Sequence, residues 1–598
     1  MQKQFGSIPL YRVTQQLTAV ATGRIPADTV IRGGQVVNVC TAEIIRADVA
    51  ISAGRIALVG DASHCIGEKT RVVDAAGRYI APGFLDGHIH IESSMLSVGE
   101  YARAVVPHGT TGVYIDPHEI CNVLGLDGVR WMLEDAARTP LKVMVTTPSC
   151  VPAVPGFEDT GGRITPQDIA CSMDWPSVIG LGEMMNYPGV LNGADTVHAE
   201  IAATLQAGGI VTGHFPVSNA GGDLDGYIAA GIRCCHESTT AADALEKMRR
   251  GMYAQIREGS AWHDLHAVLP AVTAHQVDSR FACLVSDDAH PHTLVENGHL
   301  DYIARRAVAE GLDPITAIQM VTINTAQCFQ MDQDLGSVTP GKCADLVLLE
   351  DLQNITVSSV WINGRVIAEN GRYLPKLPPY RYPEQALHSM HVGGTITPES
   401  FAIVAPDVQQ TAHVQAIEII PERVSTRKII APVPVKDGLA LADVQQDLLK
   451  AAVFERHKAT GKAGFGFVKG FGIRAGAMAS TVAHDAHNLL VIGANDADMA
   501  LAANTLIQCG GGMCTVRGGQ VLGLVELPIA GLMQELSAEE MSARVAALAE
   551  SWKAIGCSVA SPFMTMALIP LACLPELRLT NRGLVDCTTF AFTPLFVE

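Results

Sequence analysis

The sequence predicts an α/β protein built around a TIM (β/α)8 barrel, with a split β-sandwich domain and an additional α+β C-terminal domain. Three observations lead to this prediction. Short apolar runs alternate with helix-like segments between residues 81 and 336, strand-like segments flank this region on both sides, and about 200 residues follow a Pro-rich stretch at 374–384. Strands and helices that alternate over roughly 250 residues are typical of a barrel with parallel strands.

The predicted barrel strands are eight apolar runs. They are residues 84–90, 112–116, 142–147, 178–183, 210–215, 232–238, 252–258 and 281–288. Residues 252–258, MYAQIRE, are polar for a barrel strand and are also compatible with a helix.

The segments around the barrel predict two further domains. Residues 29–80 and 335–370 both carry β-branched runs broken by glycine-containing turns, which is the pattern of short strands. We expect the two segments to share one domain. The expected division is therefore 1–80 plus 337–385 as a composite β-sandwich, 81–336 as the barrel, and 386–598 as the C-terminal domain.

Composition narrows the class of protein. With 598 residues and 48% hydrophobic residues, the chain can bury large cores, which excludes extensive disorder. A net charge of −19 argues against binding to nucleic acid. No apolar stretch is long enough to span a membrane, and no signal peptide is visible at the N-terminus. We expect a cytoplasmic homo-oligomer whose 15 cysteines are free thiols.

Metal-ligand side chains stand at the ends of five predicted strands. They are His88, His90, Glu183, His214, His236 and Asp287. The carboxyl ends of barrel strands meet at one mouth, and residues two apart on a strand, such as His88 and His90, share a face. Each residue alone has an ordinary structural explanation, but the whole set predicts a centre for zinc, manganese or iron.

Several motifs resemble the amidohydrolase superfamily of metal-dependent hydrolases. They are PGFLDGHIH (82–90), Glu183, His214, His236, SDD (286–288) and PGKCADLVLL (340–349), and they cover roughly residues 30–370. Many two-metal members carry a carboxylated lysine after strand four, where this sequence has Glu183. Longer motifs, among them DGHIHIESSM, YIDPHEICNVLG, CCHES and ASTVAHDAHNLLVIG, resemble the bacterial family within it that deaminates adenine.

This resemblance implies two divalent ions per chain, manganese or iron, with zinc as a further possibility. The implied ligands are His88 and His90 for one ion, His214 and His236 for the other, Glu183 as the bridge, and Asp287 completing the first site. The implied reaction is hydrolysis of the small-molecule substrate adenine to hypoxanthine and ammonia. A hydroxide between the ions attacks C6, and Asp287 acts as general base and then general acid.

Other residues receive less specific roles. Glu119 is the expected proton donor to N1 of adenine, with His118 as second choice, although the two could instead form an ordinary loop hydrogen bond. Ser286 and Asp288 flank Asp287 and are candidate substrate-binding residues, although for Asp288 we favour a cap on the following helix.

His484 and His487 are three residues apart, which places them on one face if the segment is helical. We favour a lid or substrate-facing role over a third metal site, because the Gly-rich stretch at 461–472 before them could flex.

Two alternatives remain open at this stage. Another amidohydrolase that cleaves a cyclic amide or an N-acyl group would use the same metals and bind a substrate carboxylate through an arginine, for which Arg257 is the candidate. A metal-binding scaffold without catalysis is the alternative of a different class, but a scaffold has no need for Asp287 in the position of a general base.

Overall fold

The computed structural model describes residues 6–260, 262–275, 277–406, 410–421, 423–559 and 561–597. It contains two compact units. The first comprises Met1–Pro117, Met132–Ser149 and Thr165–Tyr380, and the second comprises His118–Trp131, Cys150–Ile164 and Arg381–Glu598.

The first unit begins with one helix and five strands. These are α1 (Leu10–Ala21), β1 (Thr29–Asn38), β2 (Glu43–Ser52), β3 (Arg55–Gly60), β4 (Arg71–Asp74) and β5 (Tyr79–Pro82). Alternating apolar residues of β1 and β2 turn to one face, where Ile31, Val49 and Ile51 are buried together.

Eight parallel strands follow in chain order, each paired with the next along the chain. They are β6 (Phe84–Ile89), β7 (Thr110–Ile115), β8 (Lys142–Thr147), β9 (Val178–Met184), β10 (Ile210–Gly213), β11 (Ile232–Cys235), β12 (Tyr253–Arg257) and β13 (Ala282–Val285). An isolated parallel bridge between Ile89 and Asp287 joins the last strand to the first. The predicted barrel is confirmed, and the polar run at 252–258 is a strand.

The inside of the barrel contains one layer to which every strand contributes a side chain. The layer consists of Leu85, Tyr114, Met144, Ile179, Ile210, Cys234, Tyr253 and Cys283. Six of these eight side chains, all except Tyr114 and Cys234, come from the amino-terminal halves of their strands, so the layer lies mainly toward that end of the barrel. The polar residues at the carboxyl ends are left to form the site.

Helices connect and follow the barrel strands. They are α2 (Val98–Val105), α3 (His118–Ala136), α4 (Pro166–Ser172), α5 (Tyr187–Leu191), α6 (Asp195–Gln206), α7 (Gly222–Ala229), α8 (Ala241–Arg249), α9 (Leu265–Val268), α10 (Pro270–Thr273), α11 (Pro291–Glu296), α12 (Leu300–Ala309), α13 (Pro314–Met320) and α14 (Ile323–Cys328). Helix α3 is interrupted by a kink at Gly125, whose φ of 62° lies in the left-handed region that glycine tolerates.

The chain then returns to the first sheet. Strands β14 (Leu346–Leu349), β15 (Val357–Ile362), β16 (Arg365–Glu369) and β17 (Arg372–Tyr373) complete a nine-stranded sheet in the order β17-β16-β15-β14-β5-β1-β2-β3, with β4 beside β1. The two strand-like segments that flank the barrel in sequence therefore belong to one sheet.

The second unit contains a ten-stranded sheet, a three-stranded sheet and four further helices. Its elements are α15 (Glu384–Leu387), β18 (Thr411–Ile419), β19 (Thr426–Lys436), β20 (Leu439–Ala440), β21 (Leu448–Phe454), β22 (Ala463–Lys469), β23 (Ala477–Ser480), β24 (Leu489–Gly493), α16 (Asp496–Cys509), β25 (Gly512–Arg517), β26 (Gln520–Glu526), α17 (Ala538–Ala554), α18 (Pro562–Ala567), β27 (Leu577–Thr580), β28 (Gly583–Asp586), β29 (Ala591–Phe592) and β30 (Phe596–Val597). Met499, Ala503 and Leu506 of α16 pack in a core with sheet residues Val491 and Cys514.

None of these helices has the length and hydropathy of a membrane-spanning segment. Within the residues that the structure describes, every helix is too short or too polar to cross a bilayer.

Candidate metal centre

The first part of the site lies where β6 meets the end of β13. The N–H of Asp287 donates to the carbonyl of His88 at 2.9 Å, and the N–H of His90 donates to the carbonyl of Asp287 at 3.0 Å. Asp287 has a φ of 62°, a conformation that costs a non-glycine residue about 1–3 kcal/mol and persists where its surroundings fix it. As a result, Asp287 Oδ1 lies 3.2 Å from His88 Nε2 and 3.3 Å from His90 Nε2.

Glu183, at the end of β9, lies between two groups of histidines. Its Oε1 is 3.6 Å from Nε2 of His90, and its Oε2 is 2.7 Å from Nδ1 of His214 and 3.1 Å from Nε2 of His236. The Glu183 N–H donates to Asp116 at 2.6 Å, which anchors the end of the strand. One carboxylate therefore reaches histidines from β6, β10 and β11.

A hydrogen bond at the second ring nitrogen of His90 orients this residue for metal binding. Nδ1 of His90 lies 2.8 Å from the carbonyl oxygen of Asp116, so Nδ1 carries the proton and donates it. The lone pair on Nε2 is then directed toward Glu183 and Asp287. A histidine that ligates metal through one nitrogen usually donates from the other in this way.

The protonation states of two further groups, His236 and Asp287, suit the same purpose. The rings of His88 and His236 are stacked, with centroids 3.9 Å apart. Burial and the neighbouring His88 lower the pKa of His236 to about 4, which keeps its ring neutral. Burial alone would raise the pKa of Asp287, but the neighbouring imidazoles of His88 and His90 hold it well below its usual range. Neutral imidazoles and ionised carboxylates are the forms that bind metal.

The six residues fit a divalent metal centre. Their ligand atoms form three groups within 4.8 Å, namely His88 with His236 and Asp287, His88 with His90 and Glu183, and Glu183 with His214 and His236. Nε2 of His88 is buried and makes no hydrogen bond to any described residue, which would cost about 1–3 kcal/mol without a ligand. Nitrogen and oxygen donors in this combination suit first-row divalent ions.

Two neighbours of the centre were not predicted as site residues. Glu237 Oε1 lies 3.4 Å from Nε2 of His236 and 2.5 Å from Nη1 of Arg257. Arg257 also lies 3.2 Å from Asp287 and 2.8 Å from Asp264. The sequence signal for Glu237 is its place directly after His236 at the end of a barrel strand, and Arg257 is predicted only as the partner of a substrate carboxylate in the alternative reaction.

Ser286 and Asp288 are both held by other side chains. The Ser286 hydroxyl donates to Asp86 at 2.5 Å. Asp288 accepts hydrogen bonds from the Trp262 indole N–H at 3.0 Å and from the Ser93 hydroxyl. The expectation that Asp288 caps a helix is wrong, because α11 begins at Pro291 and is preceded by His290.

The remaining predicted residues lie in the second unit. His118 and Glu119 form the first turn of α3. The segment with His484 and His487 is a turn between β23 and β24, so the expected helical face is wrong, although both rings reach Glu119. The Gly-rich stretch before it contains β22, which pairs with β18 and β21 inside the sheet rather than forming a mobile loop.

The sequence matches the models of two protein families. Residues 79–367 match the family model of the amidohydrolase family, and residues 423–591 match that of the adenine deaminase C-terminal domain. Among solved structures, an adenosine deaminase from Xanthomonas campestris aligns with 59% of this chain and 95% of its own at a TM-score of 0.45 and 16% identity.

Curated relatives match over essentially the whole length. An adenine deaminase from Clostridium botulinum (strain Langeland) is 63% identical, with 100% of both chains covered. Those from Moorella thermoacetica and Mesorhizobium japonicum are 56% and 45% identical, each with 98% of both chains covered.

Proposed function

Because this chain belongs to the adenine deaminase family of amidohydrolases, we propose that it hydrolyses adenine to hypoxanthine and ammonia at its barrel metal centre. The observation that carries the choice of substrate is the match over the full length of curated adenine deaminases. The convergence of imidazoles and carboxylates at the ends of the barrel strands supports the hydrolytic chemistry.

The residues of the centre would hold two divalent ions, manganese or iron, with zinc as the third candidate. His88, His90 and Asp287 would hold one ion, and His214 and His236 would hold the other. Glu183 would be a ligand to both, which is supported by its position between the two histidine pairs. Divalent ions held by such ligands would supply an activated water as the nucleophile, because they lower the pKa of bound water to about 7.

Asp287 moves the proton of the attacking water. Its carboxylate accepts that proton as the water oxygen bonds to C6 of adenine, and it later returns the proton to the amino group, which leaves as ammonia. Arg257, 3.2 Å from Asp287 Oδ2, favours the ionised carboxylate that the first step requires.

The structure gives no support to a reaction on a substrate that carries a carboxylate. Arg257, the candidate partner for such a group, already contacts Glu237, Asp264 and Asp287. Because three carboxylates already surround this guanidinium, it would not attract the carboxylate of a substrate.

Ammonia release from adenine tests the proposal. The full chain is reconstituted with manganese, iron or zinc, and bound metal is counted per chain. A cyclic amide is assayed in parallel. We expect adenine turnover at about two ions per chain and none after chelation. Full metal occupancy without release of ammonia from adenine would contradict the proposal, and so would turnover of the cyclic amide alone.

A further inference from the structure

A buried network of polar side chains adjoins His88 and Asp287 within the first unit. It begins at Asp86, which stands on β6 two residues before His88 and is fully buried. Asp86 Oδ2 accepts a hydrogen bond from the Ser286 hydroxyl at 2.5 Å, and Asp86 Oδ1 accepts one from the Ser286 N–H at 3.2 Å. Both oxygens of one carboxylate therefore hold the residue directly before Asp287.

Strand β6 thus fixes the end of β13 at two successive residues. Asp86 holds Ser286, and the carbonyl of His88 accepts the N–H of Asp287 at 2.9 Å. Asp287 has a φ of 62°, which a non-glycine residue keeps only where its surroundings impose it. The position of the Asp287 carboxylate therefore depends on how firmly Asp86 holds Ser286.

His299 is the side chain that fixes Asp86 in turn. It directly precedes α12, and its side chain is 1% exposed. Nε2 of His299 lies 3.2 Å from Asp86 Oδ2 and 3.1 Å from the Tyr101 hydroxyl of α2. Nδ1 lies 2.7 Å from the Thr110 hydroxyl of β7. One buried ring therefore joins β6, β7 and α2.

The contacts of the ring determine where it carries a proton. Asp86 Oδ2 already accepts a hydrogen bond from Ser286, so the Nε2 atom of His299 that faces this oxygen must carry a proton. The Thr110 hydroxyl can either donate or accept, so it satisfies Nδ1 in both of its states. The proton on Nε2 is thus directed at the carboxylate of Asp86 and restricts its rotation.

We infer that His299 is a positioning residue for the deamination, which through Asp86 and Ser286 holds the Asp287 carboxylate where it accepts the proton of the attacking water. The inference rests on the proposed function. Among the described residues, the ring of His299 contacts Asp86, Tyr101 and Thr110, and it makes no hydrogen bond or ion pair with the six predicted metal ligands. Its effect on the chemistry therefore passes through Asp86.

Four variants of the metal-loaded full chain test this inference. His299→Phe keeps a ring and removes both nitrogens, and His299→Gln restores an N–H donor in place of Nε2. Asp86→Asn weakens the same contact from the other side. His108→Phe is the control, because His108 lies 3.0 Å from Asp301, which also accepts the N–H of His299, but does not contact Asp86.

Three properties of each variant are measured. Ammonia release from adenine gives kcat and KM, and thermal unfolding reports whether the chain is folded. Metal is counted per chain after identical reconstitution and again after exposure to increasing concentrations of a chelator. The last measurement does not depend on turnover, because it reports how firmly the ligands of the barrel centre are held.

We expect His299→Phe to lower kcat by about 10–100-fold with KM within about threefold of the wild type, since a transition-state contact is disturbed rather than substrate binding. It should lose metal at about tenfold lower chelator concentration. His299→Gln should recover kcat to within about fivefold of the wild type, because the amide N–H again faces Asp86. His108→Phe should match the wild type in kcat and metal retention.

The double variant Asp86→Asn/His299→Phe tests whether His299 acts through Asp86. Effects of residues that act through one another are not additive. The double variant should therefore be no more than about threefold slower than the slower of the two single variants. Losses that multiply would show that His299 acts independently of Asp86 and would overturn the inference.

Other outcomes would also overturn it. Equal losses of kcat in His299→Phe and His299→Gln, together with a lowered thermal midpoint in both, would mean that the ring only fills space. If His299→Phe does not fold, Asp86→Asn provides the test, and a kcat within about threefold of the wild type would contradict the inference.

The two proposals can fail separately. A wild type that releases no ammonia from adenine contradicts the proposed function, and the chelator comparison then still reports whether His299 holds the ligands in place. An active wild type with an equally active His299→Phe variant that retains metal equally well contradicts this inference alone.

Discussion

The molecule has two clusters of histidines and carboxylates with similar spacing. In the barrel centre, nitrogen–oxygen distances from Glu183 and Asp287 to the histidines run from 2.7 to 3.6 Å, and in the second unit those from Glu119 and Asp485 to His484 are 3.0 and 3.6 Å. The second ring nitrogen distinguishes them. His90 donates from Nδ1 to a carbonyl, whereas His487 accepts at Nδ1 from a backbone N–H. Residue types and spacing therefore do not define a metal site, because the partner of the opposite nitrogen decides which atom carries the proton.

A matched pair of glutamate substitutions gives the largest expected contrast. Glu183→Gln should remove most of the bound metal and nearly all turnover, with a larger loss of metal affinity than the roughly 10–100-fold cost of losing an outer partner. Glu119→Gln should keep the full metal content. Metal analysis of both proteins after identical reconstitution checks this prediction. Retention of two ions per chain in Glu183→Gln would rule out its bridging role.

Asp287→Asn probes the chemistry of the barrel centre with less disturbance of its ligands. The amide cannot accept the proton of water, so kcat should fall by about 10²–10⁴-fold. The four histidines and Glu183 of the same groups remain to hold metal. Single-turnover ammonia release at measured metal content is the test. A kcat within tenfold of the wild type at full metal occupancy would show that another group takes the proton.

Arg257→Met tests the buried charge balance beside the barrel centre. Removing the arginine leaves Glu237, Asp264 and Asp287 facing one another without a cation, which should lower the free energy of unfolding by about 3–5 kcal/mol. Urea unfolding measures the change. Arg249→Met is the control, because Arg249 and its partner Glu246 are exposed and should leave the midpoint unchanged. Equal midpoints for the two variants would contradict the prediction.

The smallest effect is expected at an ion pair of the second unit. Asp159 accepts hydrogen bonds from Arg582 at 2.5 and 3.0 Å, and these lower its pKa to about 2. Asp159→Asn should cost about 1 kcal/mol, discounted for the partial exposure of both side chains. Because the folded pKa is depressed, this stabilisation is present above about pH 4 and disappears as the pH falls toward 2.

Urea midpoints at neutral and at acid pH check the sign of this effect. The gap between the wild type and Asp159→Asn should close as the pH falls. A gap that widens in acid would mean that Asp159 contributes through packing rather than through its charge.

The barrel centre could be predicted from the sequence because topology does most of the positioning. Parallel strands in a barrel bring their carboxyl ends to one mouth, so residues as distant in sequence as His88 and Asp287 converge. Even the polar run at 252–258 follows this rule, since Gln255 and Arg257 find partners inside the barrel.

The second cluster could not be predicted in the same way. The spacing of His484 and His487 suggested a helix, but the chain forms a turn there and His487 has a φ of 51°. No periodicity connects Glu119 with residues more than 360 positions later. The direction of the hydrogen bond between Ala483 and His487 depends on the backbone of that turn, which no sequence pattern specifies.

The pairing of β5 with β14 has a consequence for synthesis of the chain. Leu346 to Leu349 complete the edge of β5, yet about 260 residues separate the two strands. At about 5–20 residues per second, the edge of β5 waits roughly 13–50 seconds on the ribosome for its partner. An unpaired edge recruits strands from other chains, so the yield of active protein should fall when translation slows within the barrel.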